Sequence, residues 1–241
     1  ANQPKAETGY ANLAVFYGAC SYDCLFCQNW HYRNLASKNH PHMNAESLAE
    51  KVDQHVSCIC FFGGDPSAQM PHALKTSQLA LEKAQQEKRI LRICWETNGY
   101  EKEELAVEAA KLSLKRGGNM KIDLKAWDEN LNLALGGVSN RPTLRTFELV
   151  GERYFNQRPE LPVVTASTLL VPGYVDVEEV SQIAAFISEI SPKIPYTLLA
   201  FYPQYVMNDL PATSRKLAND CYKAARKHLE KVHIGNANLL S

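Results

Sequence analysis

Apolar and polar positions follow one another along the chain in two rhythms. Short runs rich in Val, Ile, Leu and Phe lie near residues 13–16, 56–62, 90–96, 120–124, 163–171, 196–201 and 232–234. Between them, apolar residues recur with helical period over 45–54, 71–88, 101–116, 143–155, 177–191 and 214–229. Asn44 stands where an N-cap is needed, and the helix from Glu101 is acidic in its first turn. That helix ends in Lys115 and Arg116 before Gly117 and Gly118, which suits the helix dipole and a glycine C-cap. Seven strand-like runs with interposed helices predict a parallel sheet joined by crossovers. The runs show little polar alternation, so both faces of the sheet are expected to be covered. Strand count alone leaves a doubly wound sheet and a barrel open. No Gly-x-Gly-x-x-Gly follows the first strand, which lowers the dinucleotide-binding reading.

Length and composition narrow this picture. A chain of 241 residues and 27.0 kDa, with 45% hydrophobic residues, fits one α/β domain over 1–241. Its core is expected at about 13–201, with a C-terminal helix and strand in 202–241. Neither a low-complexity segment nor a linker interrupts it. Two irregular stretches, 30–43 and 204–213, follow strand ends, where such folds place their sites. Lys plus Arg and Asp plus Glu are 26 each, so a protein built to coat a nucleic acid is disfavoured. No apolar run approaches the length of a membrane span, and the first twelve residues lack the apolar run of a signal peptide. A cytoplasmic protein with no membrane contact is expected.

Cysteine changes the picture most. Of the seven, Cys20, Cys24 and Cys27 fall within eight residues, in a Cys-x3-Cys-x2-Cys pattern directly after the first strand. They are too crowded for a disulfide framework and point to metal chemistry in a reducing compartment. Three thiolates on one loop can hold three irons of a [4Fe–4S] cluster and leave the fourth iron open to another ligand. A structural zinc on the three cysteines and one of His31, His40 or His42 is the competing reading, in a non-catalytic binding module. Cys58 and Cys60, on one face of the second strand, Cys94 on the third and Cys221 in the last helix read as buried small residues. Their spacing suggests no second cluster. His55, His72, His228 and His233 have no partner pattern.

The cysteine pattern, with Phe26 before its last member, resembles the radical S-adenosylmethionine (SAM) superfamily. That resemblance implies a partial (β/α)6 TIM-like barrel, here with an extra edge strand, and an enzyme whose Cys20, Cys24 and Cys27 are both metal-ligating and catalytic. SAM would complete the open iron, and its reductive cleavage would produce a 5′-deoxyadenosyl radical that abstracts hydrogen from a substrate. Phe26 would pack by the adenine. Phe62-Gly63-Gly64-Asp65-Pro66 is similar to the family's Gly-Gly-Glu-Pro, with a side chain one methylene shorter; Gly63, Gly64 and Asp65 would meet the SAM amino group. Read without the family, this segment is a turn.

Later segments resemble the glycyl-radical-enzyme activases, typified by pyruvate formate-lyase activating enzyme. They are Thr97-Asn98-Gly99, Asp123-Leu124-Lys125, Leu135-Gly136-Gly137-Val138-Ser139-Asn140 and Leu170-Val171-Pro172-Gly173. The resemblance implies that Thr97, Asn98, Asp123 and Lys125 lie near SAM, with Lys125 facing its carboxylate. It also implies a monovalent cation bordered by Glu96, Thr97 and Asp123. Tyr202 stands where activases often carry a His near the adenosyl group. Gln204-Tyr205-Val206-Met207 resembles the end of an activase-like group found in bacteria and archaea. The partners implied are a flavodoxin or ferredoxin as electron donor and a glycyl radical enzyme as substrate; a small molecule or an RNA is the alternative substrate.

Overall fold

Seven strands form one parallel sheet in the order of the chain: β1 (Ala11–Phe16), β2 (Val56–Phe62), β3 (Arg92–Thr97), β4 (Met120–Asp123), β5 (Val164–Leu170), β6 (Tyr196–Ala200) and β7 (Val232–Gly235). The computed structural model describes residues 8–38 and 40–241. Every neighbouring pair is parallel, and β1 and β7 are the open edges. Residues from β1, β2, β3, β5 and β7 line a single cavity, so the sheet curls into a partial barrel. Six strands and an added edge strand, β7, match the expected architecture.

The crossovers carry eight α-helices among the described residues. They are α1 (Tyr32–Lys38), α2 (Ala45–Glu50), α3 (Met70–Gln86), α4 (Glu103–Arg116), α5 (Glu129–Gly136), α6 (Arg141–Tyr154), α7 (Val177–Ile190) and α8 (Arg215–Ala225). From α2 to α8, contacts run α2–α3–α4–α6–α7–α8, a continuous layer outside the sheet. Among the described residues no helix is long and apolar enough to cross a membrane. The helices α1 and α5 were not legible in the hydrophobic pattern, for a physical reason. No residue of α1 is buried, so it has no apolar stripe. The helix α5 spans only eight residues and buries Asn132, Leu135 and Gly136, and its start depends on the Asp128 side chain accepting from Leu131 N–H.

The two faces of the sheet differ, which corrects the expectation that both are covered. Ile59, Phe61, Ile93, Trp95, Ile122, Ala166 and Leu198 are fully buried under the helices. Phe61 stacks on Trp95 at 4.8 Å, and the Trp95 indole donates to Ala109 O and Ser113 Oγ of α4. Each large side chain buried in this way contributes about 1.5–3 kcal/mol. On the inner face, Cys60, Cys94, Lys121, Asp123, Thr165 and Thr197 are only half-buried and Glu96 is exposed. The strands therefore do alternate. Cysteine and leucine at many inner positions hid this in the sequence.

Candidate active site

The cysteine loop follows β1 and is held down on both sides. Tyr17 N–H donates to Phe62 O, and Asp65 N–H donates to Ala19 O at 2.6 Å, tying the loop to the end of β2. On its other side Asp23 N–H donates to Gly136 O and Leu25 N–H to Leu135 O, so the end of α5 docks the loop. Leu25 O accepts from the Val206 and Met207 N–H groups beyond β6. Gly63 and Gly64 permit this closeness. Gly63 has φ +74°, and a Cβ there would strike the Phe16 ring; a Cβ on Gly64 would strike the carbonyl oxygens of Ala19 and Tyr17. In this protein the two glycines admit the loop's own backbone.

Cys20, Cys24, Cys27 and Phe26 open onto a cavity at the C-terminal end of the strands. Gly63, Gly64 and Asp65 after β2 line it, as do Glu96 and Asn98 at the end of β3 and Asp123 and Lys125 at the end of β4. Leu169 and Leu199, inner-face residues of β5 and β6, close the far wall, and Gln28 and Asn29 complete the loop side. These last four were not singled out in the sequence; only strand register shows which leucines face inward.

Burial dominates the electrostatics. It pushes the Cys20 thiol up to about 12, helped by the Asp65 carboxylate, and it raises Cys24 and Cys27 as well. Such thiols ionise only beside positive charge. Lys125 supplies some: burial works against its ammonium, but Cys24, Asp123, Tyr22 and Cys20 outweigh that and hold it charged. Its Nζ lies 3.6 Å from Asp123 Oδ2 and 5.5 Å over the Tyr22 ring. Asp123 Oδ1 accepts from the Ser167 hydroxyl.

Asp65 lines the cavity, but its carboxylate is engaged by its own chain. Oδ1 accepts from Ser67 N–H at 2.8 Å and from the Thr97 hydroxyl at 2.9 Å, and Oδ2 accepts from Asn98 N–H at 2.7 Å. Burial raises its pKa to about 6 against those bonds. Behind it sits Glu101, which is buried ahead of α4 and is no part of that helix's acidic first turn. Burial, then Asp65, push Glu101 up to about 8. Its Oε2 lies 3.5 Å from Thr97 Oγ1, and its Oε1 is buried with no partner among the described residues. The single Thr97 hydroxyl hydrogen goes to Asp65, so the contact with Glu101 is a hydrogen bond when Glu101 is protonated. Glu101 is a residue that sequence reasoning missed, because a carboxylate at a helix start is ordinarily solvated.

Two expected residues fall outside the cavity. Thr97 is buried on the opposite face of β3 from Glu96, bonded to Asp65. Tyr202 is 54% exposed and does not line the cavity, because β6 ends at Ala200 and Phe201 takes the buried place. This same alternation parts the residues expected around a monovalent cation. The Glu96 carboxylate is met instead by the Lys121 ammonium at 2.8 Å. Among the described residues no three His, Cys, Asp or Glu side chains converge as a single metal ion needs. His31 stacks on Trp30 at 3.8 Å, and His40 and His42 line a separate depression with His72. The three cysteines line one cavity whose lining includes no His, so zinc would have three of its usual four ligands there, whereas three irons of one cluster need three thiolates.

The Radical SAM superfamily profile matches residues 14–187. A Methanocaldococcus jannaschii protein provisionally named a glycyl-radical enzyme activating enzyme is 26% identical over 192 residues, covering 77% of this chain and 65% of that protein. An uncharacterized protein of the same organism is 27% identical over 243 residues, 95% of this chain and 64% of its own length. This chain thus spans just under two thirds of the curated relatives it matches. Among solved structures, Streptococcus suis SuiB bound to precursor peptide SuiA superposes with a TM-score of 0.66 at 16% identity, over 96% of this chain and 50% of SuiB. A domain of pyruvate-formate lyase-activating enzyme from Bacteroides vulgatus gives 0.55 at 19%, over 73% and 98%. At these identities the solved structures show the shared fold, a partial TIM barrel. The profile match spans most of the chain, including the cysteine loop and the strand ends of β2 to β5 that face it, and on that ground this chain belongs to the radical SAM superfamily of enzymes.

Proposed function

We propose that Cys20, Cys24 and Cys27 hold the [4Fe–4S] cluster that membership implies, and that SAM binds beside it in the cavity at the strand ends. When bound and reduced by one electron, such a cluster splits SAM into methionine and a 5′-deoxyadenosyl radical that takes a hydrogen atom from a substrate. The observation that carries this reading is the opening of all three thiols and the Lys125 side chain onto one cavity. Lys125, kept charged by its surroundings, faces the SAM carboxylate, and Asp123 steadies it. The backbone of Gly63 and Gly64 receives the amino group, with Asp65 bracing that turn from behind. Phe26, Leu169 and Leu199 exclude water from the reacting carbon and sulfur.

The hydrogen donor in this reading is a glycine of a partner polypeptide. The provisional activating-enzyme relative supports it; two neighbours of the same fold, SuiB with SuiA and anSMEcpe with Cp18Cys, were solved with peptides, which suits a polypeptide substrate but names no glycine. A flavodoxin or ferredoxin supplies the electron in a reducing cytoplasm, where none of the seven cysteines is drawn into a disulfide. Anaerobic reconstitution with iron and sulfide, then dithionite and SAM, tests the core of it. Mass spectrometry is expected to detect 5′-deoxyadenosine in the wild type, and deuterium transfer from a labelled polypeptide would identify the donor glycine. Stable zinc without an iron cluster, and no SAM binding, would overturn the reading.

A further inference from the structure

The three loop sulfurs do not sit in equal surroundings. Cys20 Sγ accepts Tyr22 N–H at 3.4 Å from within the loop. It also accepts a side-chain donor from the turn just after β3: Asn98 Nδ2 lies 3.6 Å away. The orientation of that amide is decided by its other end. Asn98 Oδ1 lies 3.0 Å from Tyr100 N–H, which can only donate, and 3.0 Å from the Ser67 hydroxyl. The oxygen must therefore face Tyr100 and the NH2 group must face Cys20.

The rest of Asn98 is equally constrained. It is buried, its N–H donates to Asp65 Oδ2 at 2.7 Å, and its carbonyl accepts from Thr143 Oγ1 at 2.6 Å. Ser67 also shares a 3.0 Å hydrogen bond with Ser21, the residue after Cys20. Two strand ends are thereby locked onto one cysteine of the loop. An N–H donated to a cluster sulfur stabilises the more negative, reduced state and so raises the reduction potential.

We infer that Asn98 is a positioning residue for the cluster, whose carboxamide donates an N–H···S bond to Cys20 and raises the cluster's reduction potential. This rests on the proposal that Cys20, Cys24 and Cys27 hold a [4Fe–4S] cluster. Its contribution to the site is then redox tuning through Cys20.

The test compares reconstituted wild type, Asn98→Ala and Ser67→Ala by anaerobic redox titration, following the electron paramagnetic resonance signal of the reduced cluster. Asn98→Ala is expected to move the midpoint to more negative potential. Ser67→Ala keeps the donor but frees one restraint on it, and is expected to move the midpoint the same way by less. Pulsed spectra in H2O and D2O should show an exchangeable proton coupled to the wild-type cluster that Asn98→Ala lacks. If Asn98→Ala fails to assemble a cluster, the Ser67→Ala midpoint decides, because Tyr22 N–H also donates to Cys20 and gives the wild-type cluster an exchangeable proton of its own. Unchanged midpoints with full clusters, or a proton coupling that Asn98→Ala leaves unchanged, would overturn the inference and leave the cluster assignment standing. A wild type that assembles no cluster would overturn both.

Discussion

Six of the seven cysteines form two groups of three at opposite ends of the barrel interior. Cys20, Cys24 and Cys27 sit on a loop at the C-terminal strand ends, pinned by glycine-permitted backbone contacts and faced by Lys125. Cys58, Cys60 and Cys94 sit on β2 and β3, where they line a cavity of about 550 Å³ at the N-terminal ends. Glu96, paired with Lys121, borders both cavities. The strand sulfurs answer one another. Cys58 Sγ donates to Cys94 Sγ at 3.3 Å, and this bond leads in pulling Cys94 down to about 7, whereas burial pushes Cys60 up to about 12. Cysteine density alone therefore does not make a metal site. A loop can turn three sulfurs toward one volume and leave it open to a ligand, whereas a strand spaces same-face residues about 6–7 Å apart along a rigid line.

Breaking the comparison begins with Cys24→Ser. Cluster absorbance and 5′-deoxyadenosine should both vanish, while Cys60→Ser retains both; loss of the cluster in Cys60→Ser would make the two groups equivalent. Lys125→Met comes next, because it strips a half-buried cation from the loop group alone. It should weaken SAM binding by about 10–100-fold, as expected for the loss of a charge-assisted contact of about 1.5–3 kcal/mol, measured by equilibrium dialysis on cluster-loaded protein. Gly64→Ala sets a methyl against two carbonyl oxygens of the loop. A loss of about 1–3 kcal/mol in urea unfolding, with lower iron content, is expected.

The smallest effect belongs to the strand group. Because the bond from Cys58 holds Cys94 below the usual thiol value, iodoacetamide should alkylate Cys94 at lower pH than an ordinary thiol, as read by peptide mass spectrometry, and Cys58→Ala should move that onset upward by removing the donor. Stability under Cys58→Ala is expected to change far less than under Gly64→Ala.

Much of this was legible in the sequence. The spacing of Cys20, Cys24 and Cys27 is a local property, and so is the alternation of apolar runs with helical segments that yields the parallel sheet. Boundaries held best where capping is local: Ser214 accepts from Leu217 N–H at the start of α8, and Gly117 at φ +81° ends α4. Where the signal was not local, it failed. Glu101 was read as a helix-start acid, since only the meeting of β2 and β3 reveals that it is buried beside Asp65. Tyr202 was expected near the adenosyl group, but the strand ends at Ala200, Phe201 takes the buried place and Tyr202 is left in solvent.

The sequence by itself determined the order of the strands and of the longer helices, the three-cysteine loop and its family, because these follow from short-range periodicity and from cysteine spacing along a few residues. Tertiary structure alone decided which side chains share a cavity. It showed that Gly63 and Gly64 admit the loop's own backbone, that Asp65 turns inward as a brace, that Glu96 pairs with Lys121, and that Asn98 points its amide at Cys20. Those outcomes depend on the direction a side chain takes from a strand end and on partners 25 to 78 positions away along the chain, which no local pattern encodes.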